Sequence, residues 1–145
     1  MAAWQFLCNI IPSRENIDNL SRNEMISWLG ISPPIIDIDF LDCKKSWSTD
    51  IVQYGNIDGT CIEIFYDKDK LEEIICRLDL RTLTKHIFIQ IVEYVQSIGA
   101  MFLVGDKVYP PKFEVMVEVI QHSEANRFCN NPPEYFLFLN GIEEM

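Results

Sequence analysis

The chain has 145 residues, 48% of them apolar and 12% aromatic, and carries a formal net charge of -10 from 22 acidic and 12 basic side chains. That size and composition predict one self-sufficient globular domain over residues 1–145 and exclude a disordered chain. The shortage of Lys and Arg disfavours nucleic-acid binding, no apolar run approaches the roughly 20 residues that cross a bilayer, and the stretch MAAWQFLCNIIPSRE has no basic segment of the secretory kind, so a cytoplasmic protein is expected.

Trp4 to Ile11 is rich in β-formers and Pro12 closes it, which predicts a strand. Ser13 is then placed to cap a helix carrying Ile17, Leu20 and Trp28, interrupted near residues 21–23 and stopped by Gly30. In PPIIDIDFLDC, Ile36, Ile38 and Phe40 alternate with Asp37 and Asp39, the pattern of an edge strand or ordered loop with its acids outward.

The stretch KSWSTDIVQYGNIDGTCIEIFY holds two β-prone runs divided at Gly55 to Gly59, which predicts antiparallel strands joined by a turn. In the third run, LEEIICRLDLR, Ile74, Cys76, Leu78 and Leu80 share one face, while Glu73, Arg77, Asp79 and Arg81 lie mainly on the other. Matching these faces to Ile62 and Ile64 requires a register such as Tyr66 opposite Glu72, which leaves DKDKL as the connection and Glu63 near Arg77 on the outer face. Asp67 and Asp69 lie in that connection. Counted from Asp67 as a calcium loop, the fifth, sixth and twelfth places are Leu71, Glu72 and Leu78, so the pair reads as a solvated turn.

Thr84 caps a predicted helix over Ile87, Phe88, Ile91, Val92, Val95 and Ile98 that ends at Gly99. The strand AMFLVG follows, closed by Gly105-Asp106-Lys107, and then a helix over Phe113, Val117 and Ile120. The tail NNPPEYFLFLNG reads as a final docking segment. Together these predict an α+β fold: an antiparallel sheet with a central three-strand meander, packed by two or three helices.

Five cysteines without C-x-x-C spacing read as buried free thiols, and His86 and His122 have no ligand-type residues at zinc spacings, so neither metal nor cofactor is expected. No phosphate loop, G-x-S-x-G elbow or H-E-x-x-H pattern is present. The row Arg77, Asp79, Arg81 suits a carboxylate or phosphate, although such rows are more often charge ladders, here with Glu63. Trp47 and Tyr54 flank SWSTDIVQY as either exposed anchors or core. Residues 31–79 hold eleven acidic against five basic side chains, an excess that marks a solvated face or a docking surface for a basic partner.

The block KKSWSTDIVQYGNIDGTCIEIFYDKDKLEEIICRLDLR resembles a family of uncharacterised bacterial proteins of similar length, with K-S-W-S-x-D, a G-x-x-D-G turn, an acidic strand and R-x-D-L-R. WQFLCNIIP resembles the start of the same proteins. The resemblance supplies no catalytic residues. In general character such proteins are similar to the immunity proteins of polymorphic toxin systems, which bind and block a toxin. The expectation is therefore a non-catalytic acidic protein that binds a basic, toxin-like protein partner through Asp37, Asp39, Asp42, Trp47 and Asp50, with Arg77, Asp79 and Arg81 as a second set. The competing expectation is a small hydrolase or ligand-binding enzyme with a cleft beside the Arg77, Asp79, Arg81 row. A pocket gathering Asp79, a histidine and a cysteine would favour it.

Overall fold

The computed structural model describes residues 3–129, so the expected docking segment at residues 130–141 lies outside the described residues. The elements in chain order begin with β1 (Gln5–Pro12), a 3-10 turn (Ile17–Asn19), α1 (Arg22–Ile26), β2 (Cys43–Lys44) and β3 (Ile51–Gly55). They continue with β4 (Cys61–Asp67), β5 (Lys70–Asp79), α2 (Lys85–Ser97), β6 (Ala100–Val104), β7 (Lys107–Tyr109), α3 (Phe113–Gln121) and α4 (Glu124–Cys129). Among the described residues the strands form one antiparallel sheet in the order β2-β3-β4-β5-β1-β6-β7, with the predicted meander β3-β4-β5 at its centre. The fold is α+β, as the element order predicts.

Four local departures have physical causes. The helix expected after Ser13 is a 3-10 turn followed by α1, because Ser21 and Glu24 form a reciprocal capping box that starts a new helix. The short strands β2 and β7 were not foreseen. Two and three residues long, they add at the sheet edges, β7 through a turn in which Gly105 adopts φ +62°. Helix α4 was also missed. Ser123 supports its start by accepting from the Asn126 amide at 3.1 Å.

Between β4 and β5 the register follows the predicted sum from Cys61 opposite Arg77 to Phe65 opposite Glu73. A bulge between Phe65 and Tyr66 then pairs Tyr66 with Leu71 and Asp67 with Lys70, shortening the connection to Lys68 and Asp69 at φ +49° and +68°. A two-residue turn with both φ angles positive follows the right-handed twist of its strands, which a five-residue connection does not enforce. Asp67 and Asp69 are exposed, and among the described residues no three His, Cys, Asp or Glu side chains gather as a metal site. Joint Asp67→Asn and Asp69→Asn replacement is expected to change stability by no more than about 0.5 kcal/mol in chemical denaturation, since asparagine tolerates positive φ. A loss above about 1 kcal/mol would contradict the solvated turn.

The two sheet faces differ. Phe6, Cys8, Ile10, Ile62, Ile64, Ile74, Cys76 and Leu78 form one apolar core with Phe88, Ile91, Val92 and Val95 of α2 and Met116, Val117 and Ile120 of α3. The end of the opposite face at β1 and β6 is closed by a smaller cluster, Ile11, Met25 of α1 and Leu103. Trp28 then carries the chain round the sheet end, donating its Nε1 to the Ile10 carbonyl at 2.9 Å and its amide to the Glu72 carbonyl at 2.7 Å. Residues 31–42 follow as an ordered loop in which Ile38 is buried, Phe40 meets Tyr94 edge-to-face at 6.5 Å, and Asp37 and Asp39 point outward. Cys8, Cys61 and Cys76 are buried free thiols, whereas Cys43 is exposed.

Candidate functional site

Trp47 sits in the loop between β2 and β3. Ser46 Oγ lies between the Ile51 carbonyl, at 2.6 Å, and the Ser48 carbonyl, which share its one proton, while the Ser48 amide donates to Ser46 Oγ at 3.3 Å. Ser48 Oγ accepts from the Asp50 amide at 3.2 Å. Short hydroxyl side chains that bond their own backbone fix a loop without a core beneath it. They leave the residue between them pointing outward: Trp47 is 76% exposed, the second most exposed large apolar side chain among the described residues after Ile35. Tyr54, the other candidate anchor, instead packs against the main core.

The expected acidic set divides. Asp50 flanks Trp47, and its carbonyl accepts from the Tyr66 amide at 2.8 Å, which brings Asp67 of β4 to the same end of the sheet. Asp42 lies at the other end of β3, its carbonyl accepting from the Gly55 amide at 2.7 Å. Asp37 and Asp39 belong to the 31–42 loop. Burial, together with the charges of Tyr54, Tyr66 and Asp37, pushes the Tyr94 phenol up to about 12.

The second set, Arg77, Asp79 and Arg81, is engaged rather than displayed in a row. Register places Gln53, Glu63, Ile75 and Asn9 side by side across β3, β4, β5 and β1, on the face away from α2 and α3. Glu63, only 1% exposed, pairs with Arg77, which is 18% exposed. The predicted neighbourhood of Glu63 and Arg77 is therefore correct, but the outer face buries the carboxylate. Asp79 is also buried, and it accepts from the Arg81 amide, Nε and Nη2, each at 3.0 Å. The guanidinium of Arg81 lies 3.8 Å from the Trp4 ring centroid, a cation–π contact.

Burial alone would raise the Asp79 carboxyl, but the hydrogen bonds and charge of Arg81 outweigh it and hold the group below its ordinary value. A carboxyl with a lowered folded-state pKa adds stability that is present above its unfolded pKa and lost as pH falls through the folded value. Asp79→Asn retains the acceptor for the Arg81 amide but not the charge. It is expected to cost about 1 kcal/mol at pH 7, small because Arg81 is half exposed, and to flatten the fall in melting temperature below about pH 4.

Beside this pair, where the competing expectation placed a cleft, the structure forms one of about 750 Å³, with other walls than the sequence suggested. Its walls come from the residues before β2, the β3–β4 turn and the segment after β5. Gln5 Nε2 donates to the Ile57 and Gly59 carbonyls at 2.8 and 2.7 Å, Trp4 Nε1 to the Asp58 carbonyl at 3.2 Å, and the Asp79 amide to Thr60 Oγ1 at 3.0 Å. Gly55 is required at φ +87°, where an added Cβ would lie 2.3 Å from the Thr60 carbonyl oxygen. Among its described lining residues are Asp42, Asp79 and Arg81, but neither histidine and no cysteine. The sequence signal for this region was the pair of glycines bracketing the turn.

No protein-family model, curated protein or solved structure matches this chain. Among the described residues no helix is long and apolar enough to cross a membrane.

Proposed function

We propose that this is a cytoplasmic binding protein that docks a basic protein partner through the Trp47 loop, in the manner of an immunity protein that blocks a toxin. The observation that carries this reading is the display of Trp47 on a loop fixed by Ser46 and Ser48, with Asp50 further along the same loop. A solvated tryptophan on a loop braced by its own hydroxyls brings a large area to a partner with little ordering of the loop backbone, which is how interface anchors act. The net charge of -10 supplies long-range attraction for a basic surface. The K-S-W-S-x-D resemblance also falls on this loop, with its serines serving loop structure and its tryptophan recognition.

The test is recovery of a partner on the immobilised protein, followed by association kinetics. The expected partner is a basic protein, inactivated in the complex, whose association rate falls as the Debye length shortens from about 10 Å at 0.1 M salt to about 3 Å at 1 M. Recovery of no such partner, together with turnover of a small molecule by the purified chain, would favour the enzymatic alternative at the cleft.

A further inference from the structure

We propose that the cleft beside the β3–β4 turn is a receptor for a guanidinium group, an arginine side chain presented by the partner. The source of that arginine rests on the function proposed above. Preference for a guanidinium follows from the cleft itself.

Gln53, on β3, is 6% exposed and lines the cleft. Its Nε2 donates to the Gly55 carbonyl at 2.8 Å, which fixes the orientation of the amide because a carbonyl accepts only from the nitrogen end. Oε1 is therefore a held acceptor, and among the described residues it has no hydrogen-bond partner. Solvent reaches that oxygen at the cleft wall, so a ligand donor entering the cleft can reach it as well. Two acidic residues, Asp42 and Asp58, both exposed, also line the cleft.

Charge decides the class of ligand. The cleft also holds Asp79, Arg81 and Lys44, but Asp79 and Arg81 neutralise each other through two side-chain hydrogen bonds. That leaves Asp42 and Asp58 against Lys44 alone. An anion would meet two carboxylates here, with the nearest guanidinium already engaged. A cation meets separated acceptors, and a planar group with five donors satisfies more of them than a compact ammonium does. Phe40, Leu41 and Ile57 add apolar surface to the same lining, suited to the methylene stem of an arginine. The wall is preformed: Gln5 and Trp4 hold the turn carbonyls and Asp42 holds the Gly55 amide, so binding requires little ordering.

The test uses N-acetyl-L-arginine amide as the probe and amide NMR of the full chain as the readout. Saturable shifts are expected at the Gly55, Asn56, Asp58 and Gly59 amides and the Gln53 side-chain amide, with the neutral isostere N-acetyl-citrulline amide binding about tenfold more weakly. Asp42→Asn with Asp58→Asn, both on the surface, is expected to weaken the probe by about tenfold while leaving the remaining spectrum in place. Trp47→Ala should not alter probe binding. Arginine binding without any basic protein partner would remove the proposed function and leave this site standing. Equal shifts from citrulline, shifts scattered over the surface, or the same shifts from inorganic phosphate would overturn the site.

Discussion

Replacement of Arg77 by alanine is expected to destabilise the protein by about 3 kcal/mol, one of the two largest effects of any single change considered. The cause is the partner left behind. Glu63 is the one charged residue among the largest fully buried side chains of the described residues, and it pairs with the Arg77 guanidinium. Removing the guanidinium leaves a carboxylate out of water with no counter-charge, at a cost well beyond that of the lost contact. Because Arg77 retains some exposure, the effect belongs at the lower end of the range for broken buried pairs. Replacing both residues together, Glu63→Leu with Arg77→Met, is expected to restore most of the loss or exceed it, since an apolar pair incurs no desolvation penalty. Chemical denaturation of the single and double variants measures this directly. A cost below about 1 kcal/mol for Arg77→Ala would show that water reaches Glu63 once the cover is gone.

The same pair marks how far the sequence could be read. Alternation in β4 and β5 sufficed to place Ile62, Ile64, Ile74, Cys76 and Leu78 on the core face and Glu63 beside Arg77, because a one-residue slip of either strand would turn its members of that set off the core. Alternation specifies a face but not what covers it. The depth of Glu63 depends on Gln53, Ile75 and Arg77 lying around it, and Gln53 reaches it from a strand defined by other signals. Edge strands of two and three residues carry too little pattern to detect. The make-up of the cleft, though not its place beside Asp79 and Arg81, was illegible for a related reason. Phe40, Gln53, Asp58 and Arg81 come from separate segments, so no spacing links them before the sheet assembles. The S-W-S pattern did contain a local signal. Two serines one residue either side of a tryptophan bond the backbone of their own loop, which fixes the direction of the residue between them.

Replacement of Trp47 by alanine is expected to leave the free protein almost as stable as before while weakening the complex by about 2 kcal/mol or more, roughly thirtyfold in Kd. The two expectations have one origin. A side chain that is 76% exposed buries little in the free protein, so its loss stays within about 0.5 kcal/mol of neutral in a thermal or chemical melt. The area it keeps in water is available to a partner, and its burial there slows dissociation more than it speeds encounter. Asp50→Asn should act on the other rate, reducing association at low salt and losing its effect at high salt, because that carboxylate contributes through distance. Ser46→Ala gives a third pattern. It removes the hydroxyl bonds to the Ser48 and Ile51 carbonyls, so the loop must be ordered on binding and affinity falls although no contact residue has changed. Surface plasmon resonance of the three variants separates these contributions. A Trp47→Ala complex that dissociates no faster than wild type would remove the loop from the interface, and a lowered melting temperature of the free variant would return Trp47 to the core.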